Sequence, residues 1–268
     1  MRIGLCTNMN TNDPADLGLD QIGYCKEIGI DYMELSLDRI MLLDDDTFAS
    51  LRGQLDAEGM PCLACNNFIP PSVRLLGKAY NRERFEGYIR KAVTRAAALG
   101  ARKIVFGSAG ARTVPSDFPL EAARAQMVER LTFIADIAAR HGVEIEVEHL
   151  NRLECNIINT FEESVALAKQ LASPNVKSIF DSYHFTLGNE DEALIARHGA
   201  WIGHMHFACA LGRHMPDIHD VRTLAPLLQK LKACAYDDTF SIEAYFPGRL
   251  MTDRSFAKVV EALKTALG

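Results

Sequence analysis

Short β-rich apolar runs recur eight times along the chain, and stretches with the spacing of amphipathic helices separate them. The runs are RIGLCT (2–7), DYMELS (31–36), PCLACN (61–66), KIVFGS (103–108), EIEVE (144–148), KSIFD (177–181), IGHMHF (202–207) and FSIE (240–243). Most are continuously apolar instead of alternating, as expected for strands covered on both faces. FEGYIRKAVTRAAALG (85–100) and EAARAQMVERLTFIADIAARHG (121–142) carry the helical pattern and end at Gly100 and Gly142, residues suited to a C-terminal cap. NTFEESVALAKQLA (159–172) opens with Thr160 and Glu163 at capping-box spacing, and DRSFAKVVEALKTALG (253–268) reads as a terminal helix. Strand and helix in turn predict a parallel α/β fold. Eight units favour a closed barrel over an open sheet: 268 residues divided by eight gives 33.5 per unit, and such barrels use about 250 residues. FGSAGAR (106–112) does not fit the dinucleotide fingerprint. With no linker or composition break, the expectation is a single (β/α)8 TIM barrel domain spanning 1–268.

The ends of the last four runs constrain the chemistry. Glu148, Asp181, His206 and Glu243 close successive runs at separations of 33, 25 and 37 residues, each about one strand-plus-helix unit. In a parallel barrel such residues converge on the C-terminal rim. Three carboxylates and an imidazole suit Mn²⁺, Mg²⁺ or Co²⁺, and the lack of thiolates argues against structural zinc. Any one of these residues alone is more readily a helix cap or loop former; four in consecutive units favour a metal site. His204 shares the parity of His206 but sits lower, so it is expected to support or pack. Glu146, two residues below Glu148, is expected to pair inside the barrel, and Glu144 to be solvated. Glu34, read as closing strand two, is expected either to hydrogen-bond a ligand or a metal-bound residue or to play a structural part.

Other features narrow the field. The net charge is −6 and no basic block appears, so no nucleic-acid partner is expected. No apolar run reaches about 18 residues, which excludes a helical membrane span, and the polar N-terminus is not a signal peptide. Seven scattered cysteines, an odd number, predict reduced thiols and a cytoplasmic protein. Cys62 and Cys65 form a C-x-x-C inside a strand-like run, where they are expected to be buried thiols on opposite faces.

VEHLNRLECN, FDSYHF, GHMHFA and SIEAYF, together with YMELS in the N-terminal half, resemble the xylose-isomerase-like sugar isomerase/epimerase superfamily, and within it the tagatose/psicose 3-epimerases. The resemblance implies Mn²⁺ bound by Glu148, Asp181, His206 and Glu243, substrate contacts from Glu154, His184 and Arg213, and a dimer or tetramer acting on a small carbohydrate. The loop LGRHMPD (211–217) also resembles the hydroxypyruvate-isomerase branch. Glu148 and Glu243, on opposite faces of a ketose, would serve as acid and base for C3 epimerisation through a metal-stabilised enediolate. The same constellation supports aldose–ketose or hydroxypyruvate-type isomerisation, or a lyase such as an inosose-type dehydratase or a C-glycoside-cleaving enzyme. A phosphoesterase would need more histidines and a basic groove. A sugar-binding barrel without catalysis is the remaining reading. The simpler roles are a surface acid for Glu154, a helix cap for His184 and a pair with Asp217 for Arg213. Ser108 and Arg112 would hold a phosphate or form a solvated turn; Phe68, Tyr183 and Phe246 would wall the pocket or pack in the core.

Overall fold

The computed structural model describes residues 1–10, 13, 15–246 and 254–267. Eight parallel strands form a closed barrel in sequence order: β1 (Arg2–Cys6), β2 (Tyr32–Ser36), β3 (Cys62–Asn66), β4 (Lys103–Phe106), β5 (Glu144–Val147), β6 (Val176–Asp181), β7 (Ile202–Phe207) and β8 (Thr239–Ile242), which pairs back onto β1. Every residue of β2 and β7 is buried, which is why these runs are apolar without alternation. The anticipated helices lie at Arg82–Ala98, Leu120–Arg140, Phe161–Leu171 and Arg254–Leu267. Gly100 and Gly142 take left-handed φ values of 90° and 66° just beyond two of them, a conformation that glycine adopts without steric cost. The Thr160 hydroxyl accepts from Glu163 N at 3.1 Å, while the Glu163 carboxylate accepts from Asn159 N at 2.6 Å instead of closing on Thr160 itself.

Helices also span Ile22–Ile28, Asp45–Glu58, Ser182–Leu187, Ala193–His198 and Ile218–Ala233. The last contains Pro226, and a reciprocal bond between Asp217 and Asp220 caps it. Register slips by one residue between β2 and β3: Met33 pairs with Cys62, but Glu34 pairs with Ala64. This bulge brings the Cys62 and Cys65 sulfurs to 3.9 Å, both buried. The thiols are therefore interior as expected, but not on opposite faces, because the extra residue breaks the strand alternation.

Interior layers set the height of the site. Low in the barrel, Tyr32 donates or accepts a 2.7 Å bond with the Ser241 hydroxyl, and its ring lies where a Cβ on Gly4 would come within 2.2 Å. Glu34 stands two residues higher on the same strand. Behind β6, the fully buried Phe161 contacts Phe180 and Phe185 at ring separations of 5.5 and 6.3 Å. Burying such a ring contributes about 1.5–3 kcal/mol, and this cluster fixes the chain on either side of Asp181. Among the described residues, no helix is long and apolar enough to cross a membrane.

Candidate metal centre

Asp181 is the last residue of β6 and His206 the next to last of β7; Glu148 lies one residue beyond Val147 of β5, and Glu243 directly follows β8. All four are buried, and one donor atom from each lies within 4.8 Å of the others. His206 Nδ1 is 3.0 Å from Glu243 Oε2, 3.7 Å from Glu148 Oε1 and 3.8 Å from Asp181 Oδ2. It is out of line for a hydrogen bond with any of them. Asp181 also keeps the capping role considered for it: its Oδ1 accepts from His184 N at 2.9 Å, leaving Oδ2 on the site side.

Glu34 proves central to the support of the quartet. Its two oxygens take 2.9 Å bonds from Nε2 of His206 and Nε2 of His204, and His204 Nδ1 in turn meets the Thr239 hydroxyl at 2.7 Å. A carboxylate on Nε2 leaves the other ring nitrogen of His206 facing the acids, the arrangement that orients a ligating imidazole. Cys6 Sγ lies 3.9 Å from His206 Nε2. Asn66 Nδ2 donates to Glu243 Oε1 at 3.0 Å. A Cβ on Gly107 would fall 2.0 Å from Glu148 Oε2, so the chain just after β4 approaches the carboxylate as only glycine allows.

Arg213, Glu154 and His184 also gather here. Arg213 donates through Nη2 to Glu243 Oε2 and has Asp181 Oδ2 at 3.6 Å and Glu154 Oε2 at 3.9 Å. Its guanidinium lies 4.9 Å from the centre of the half-buried Tyr183 ring. His184 Nδ1 accepts from Asn151 N at 3.2 Å, which places the ring proton on Nε2, 3.8 Å from Glu148 Oε1. Asn151 Nδ2 donates to Glu154 Oε1 at 2.7 Å. A pocket of about 100 Å³ opens between Glu148, Glu243, Asn66, Ser108, Glu154 and Arg213.

The field in the site separates its acids. Burial pushes Glu148 up, and Glu243 and Asp181 add to the shift. Burial opposes the charge on Glu243 too, but Arg213 and His206 outweigh it and hold this carboxyl low. Burial disfavours a charged His206, yet Glu243 and Glu34 raise it well above the ordinary histidine value. Burial lowers His184 to about 3, so it is neutral over the working pH range. The quartet fits a divalent cation on its own chemistry: three converging carboxylates and a buried imidazole nitrogen that has no hydrogen-bond partner among the described residues.

Several expectations change. Arg112 is fully buried and donates to the carbonyls of Phe106 (2.9 Å) and Glu148 (2.7 Å). It neither clamps a phosphate nor sits in a solvated turn; it holds β4 and β5 together beneath the site. Ser108 has φ 45° and accepts from Ile69 N at 3.0 Å. Glu146 is interior, but its oxygens have no hydrogen-bond partner among the described residues, because Lys103 is drawn to Gly203 O and Asp238 instead. Glu144 is half-buried, 3.5 Å from Lys177. Phe68 belongs to the core, while Phe246 is partly buried. Asn66, Cys6, Gly107 and Arg112 escaped the sequence reading as supports; the strand-end positions of the first three were the available signal.

Comparison with known proteins agrees with this fold. The family model described as "Xylose isomerase-like TIM barrel" matches residues 22–265. A 2-oxo-tetronate isomerase of Cupriavidus necator is 30% identical over 203 residues, covering 73% of this chain and 76% of that protein. A D-psicose 3-epimerase of Agrobacterium fabrum is 27% identical over 187 residues, 67% of this chain and 63% of its own length. The crystal structure of D-psicose 3-epimerase with D-tagatose from Clostridium cellulolyticum H10 superposes with a TM-score of 0.84 at 18% identity, over 99% of this chain and 98% of that one. The chain belongs to the xylose isomerase-like TIM barrel family, and it is an enzyme of the isomerase class.

Proposed function

We propose that this family member is a divalent-metal-dependent sugar epimerase or isomerase that moves a proton next to a ketone, with Glu148 and Glu243 as the acid–base pair. The single observation behind the reading is the buried convergence of Glu148, Asp181, His206 and Glu243 within 4.8 Å. These four would hold the ion, and the oxygen-rich set favours Mn²⁺, with Mg²⁺ or Co²⁺ as substitutes. A divalent ion bound there supplies Lewis-acid polarisation of the substrate carbonyl.

The chain's own groups then do the proton work. Glu148, pushed up by burial, takes and returns a proton more readily than an ordinary carboxylate. Glu243 is ionised while Arg213 donates to it. When Arg213 turns to a substrate oxygen, Glu243 loses its strongest cationic neighbour and becomes the better base. Neutral His184 presents its Nε2 proton to the same space and orients a hydroxyl, while Glu154, fixed by Asn151, accepts one. Two carboxylates with environments this different divide acid and base roles between them. On a ketose the outcome is epimerisation at C3.

A second reading, isomerisation of a short keto sugar acid, is favoured by the Arg213 guanidinium at the small pocket and by the 2-oxo-tetronate isomerase relative. Arginine suits a carboxylate through paired donors. Incubation with Mn²⁺ in D₂O against ketoses and four-carbon keto acids, followed by NMR, separates the two. Deuterium at C3 supports epimerisation, and deuterium at the neighbouring carbinol carbon supports isomerisation. No exchange across the panel rejects both.

The seven unpaired cysteines favour the cytoplasm. Leu153 and Leu211, 95% and 80% exposed beside the pocket residues Glu154 and Arg213, favour a homo-oligomer in which a second copy covers them.

A further inference from the structure

A second group of metal-ligating side chains lies in the connection after β7, outside the quartet. Cys209, His214 and Asp220 each bring one donor atom, and the three atoms lie within 4.8 Å of one another. Cys209 Sγ is 3.4 Å from Asp220 Oδ1. Around a tetrahedral zinc, with Zn–S about 2.3 Å and Zn–O about 2.0 Å, those atoms stand about 3.5 Å apart. The existing contact is already the length of one edge of such a site.

The backbone builds this group deliberately tight. Cys209 N donates to His214 O at 3.2 Å, closing the turn that carries two of the three donors. Gly212 and Arg213 take left-handed φ values of 70° and 52° within that turn; for arginine this conformation needs support from its surroundings. Asp220 is fixed as the third residue of its helix, where its Oδ2 accepts from Asp217 N at 2.9 Å and Oδ1 is left toward Cys209. His214 Nδ1 lies 2.9 Å from Met215 O, which commits its proton to the carbonyl and leaves Nε2 with a free lone pair. Backbone carbonyls orient ligating histidines in this way.

We infer that Cys209, His214 and Asp220 form a second cation site, selective for zinc over the harder ions suited to the quartet, that pins the loop carrying Arg213. The donor types decide the selectivity: a thiolate and an imidazole with one carboxylate favour zinc, whereas the all-oxygen-plus-imidazole rim favours manganese or magnesium. Binding releases the Cys209 thiol proton to solvent and joins the sulfur to the ion, with water at the remaining position. The link to Arg213 is direct: Tyr245 N donates to Arg213 O at 2.7 Å and Met215 N to Tyr245 O at 2.9 Å, so the turn is stitched to the chain just after Glu243. The inference does not depend on which sugar the enzyme turns over.

Co²⁺ and Zn²⁺ serve as probes. Wild-type protein loaded with Co²⁺ should show thiolate-to-cobalt charge-transfer absorption, and the Glu148→Gln/Asp181→Asn double variant, with the rim impaired, should show it too. Cys209→Ser should lose the band and Cys6→Ser should keep it, with circular dichroism confirming the fold of each. In wild-type protein, Zn²⁺ should also protect one thiol from alkylation, mapped by peptide mass spectrometry to Cys209. A band that is missing in wild type or persists in Cys209→Ser, or a Cys209 alkylated equally fast with and without Zn²⁺, overturns the proposal.

Discussion

Strands β5–β8 each bring one member of the metal-type quartet at or just beyond their C-terminal ends, whereas in the first half Cys6 and Asn66 end β1 and β3, Gly107 follows β4, and Glu34 stands in the middle of β2. The two halves share one architecture and one rim, yet their side chains act differently. The second half offers donor atoms to the centre: Glu148, Asp181, His206 and Glu243. The first half acts on those donors. Cys6 and Glu34 reach His206, Asn66 reaches Glu243, and Gly107 makes room for Glu148. Closing the barrel places each support opposite or beside the group it serves. Ligand geometry is thus set by contacts across the barrel as well as by position along a strand, which is how a site becomes rigid enough for chemistry.

The comparison breaks most visibly at the donors. Glu148→Gln or Glu243→Gln should lower kcat by about 10²–10⁴-fold, the scale of losing a positioned acid or base, while the circular dichroism spectrum stays unchanged. Full activity in either variant would remove the two-carboxylate scheme. Gly107→Ala tests the first half by sterics alone, because the new methyl meets Glu148 Oε2 at 2.0 Å. A displacement of that carboxylate by roughly 1 Å should cost about 10²-fold in kcat, measured at saturating substrate. Glu34→Gln keeps the shape but removes the charge that binds both histidines. It should weaken Mn²⁺ binding by about 10–100-fold in a calorimetric titration. Unaltered affinity would make Glu34 a structural residue only.

The smallest expected effect sharpens the comparison along a single strand. Glu146 and Glu148 sit two residues apart on one face, but only Glu148 has partners at the rim. Burial pushes Glu146 up to about 8. Its folded value therefore exceeds its unfolded value of 4.5, and the folded state holds the extra proton between them. The contribution to stability is full below about 4.5, falls as pH rises, and is lost by about 8. Glu146→Gln should remove that slope and raise stability at pH 9 by about 2 kcal/mol, less than the whole shift would give because the amide gains no partner. Urea denaturation at pH 6 and pH 9 measures it; an unchanged difference between the two pH values would place the ionised form in water.

The convergence of the quartet was legible before the fold because a ligand set would demand unusual residue types at regular intervals. A carboxylate or imidazole closing four successive apolar runs is chemically conspicuous. The supports were hidden for the opposite reason. Gly107 works by having no side chain, Asn66 by reaching across the barrel, and Arg112 by turning inward against Phe106 and Glu148 in a segment whose composition looked like a turn. Glu34 was noticed but undecided, since its meaning lies in two histidines 170 and 172 residues away. Helices such as Ile218–Ala233 were obscured by an internal proline, which is a weak prior against helix when packing overrides it. The bulge at β3 also escaped, because one inserted residue leaves no compositional trace.

The pairing of β1 with β8 has a consequence for how such a chain changes over generations. A closed sheet has no free edge, and its register fixes the spacing of the strand ends whatever connects them. The connections after β3, β4, β5 and β7 carry the pocket residues Asn67, Ser108, Glu154 and Arg213, and lengthening a surface connection costs little in closure entropy. On the proposed function, proton transfer and substrate choice would therefore be inherited on separate parts of the molecule. A lineage with that division could exchange one sugar for another by rewriting those loops while the strand ends retain the same reaction.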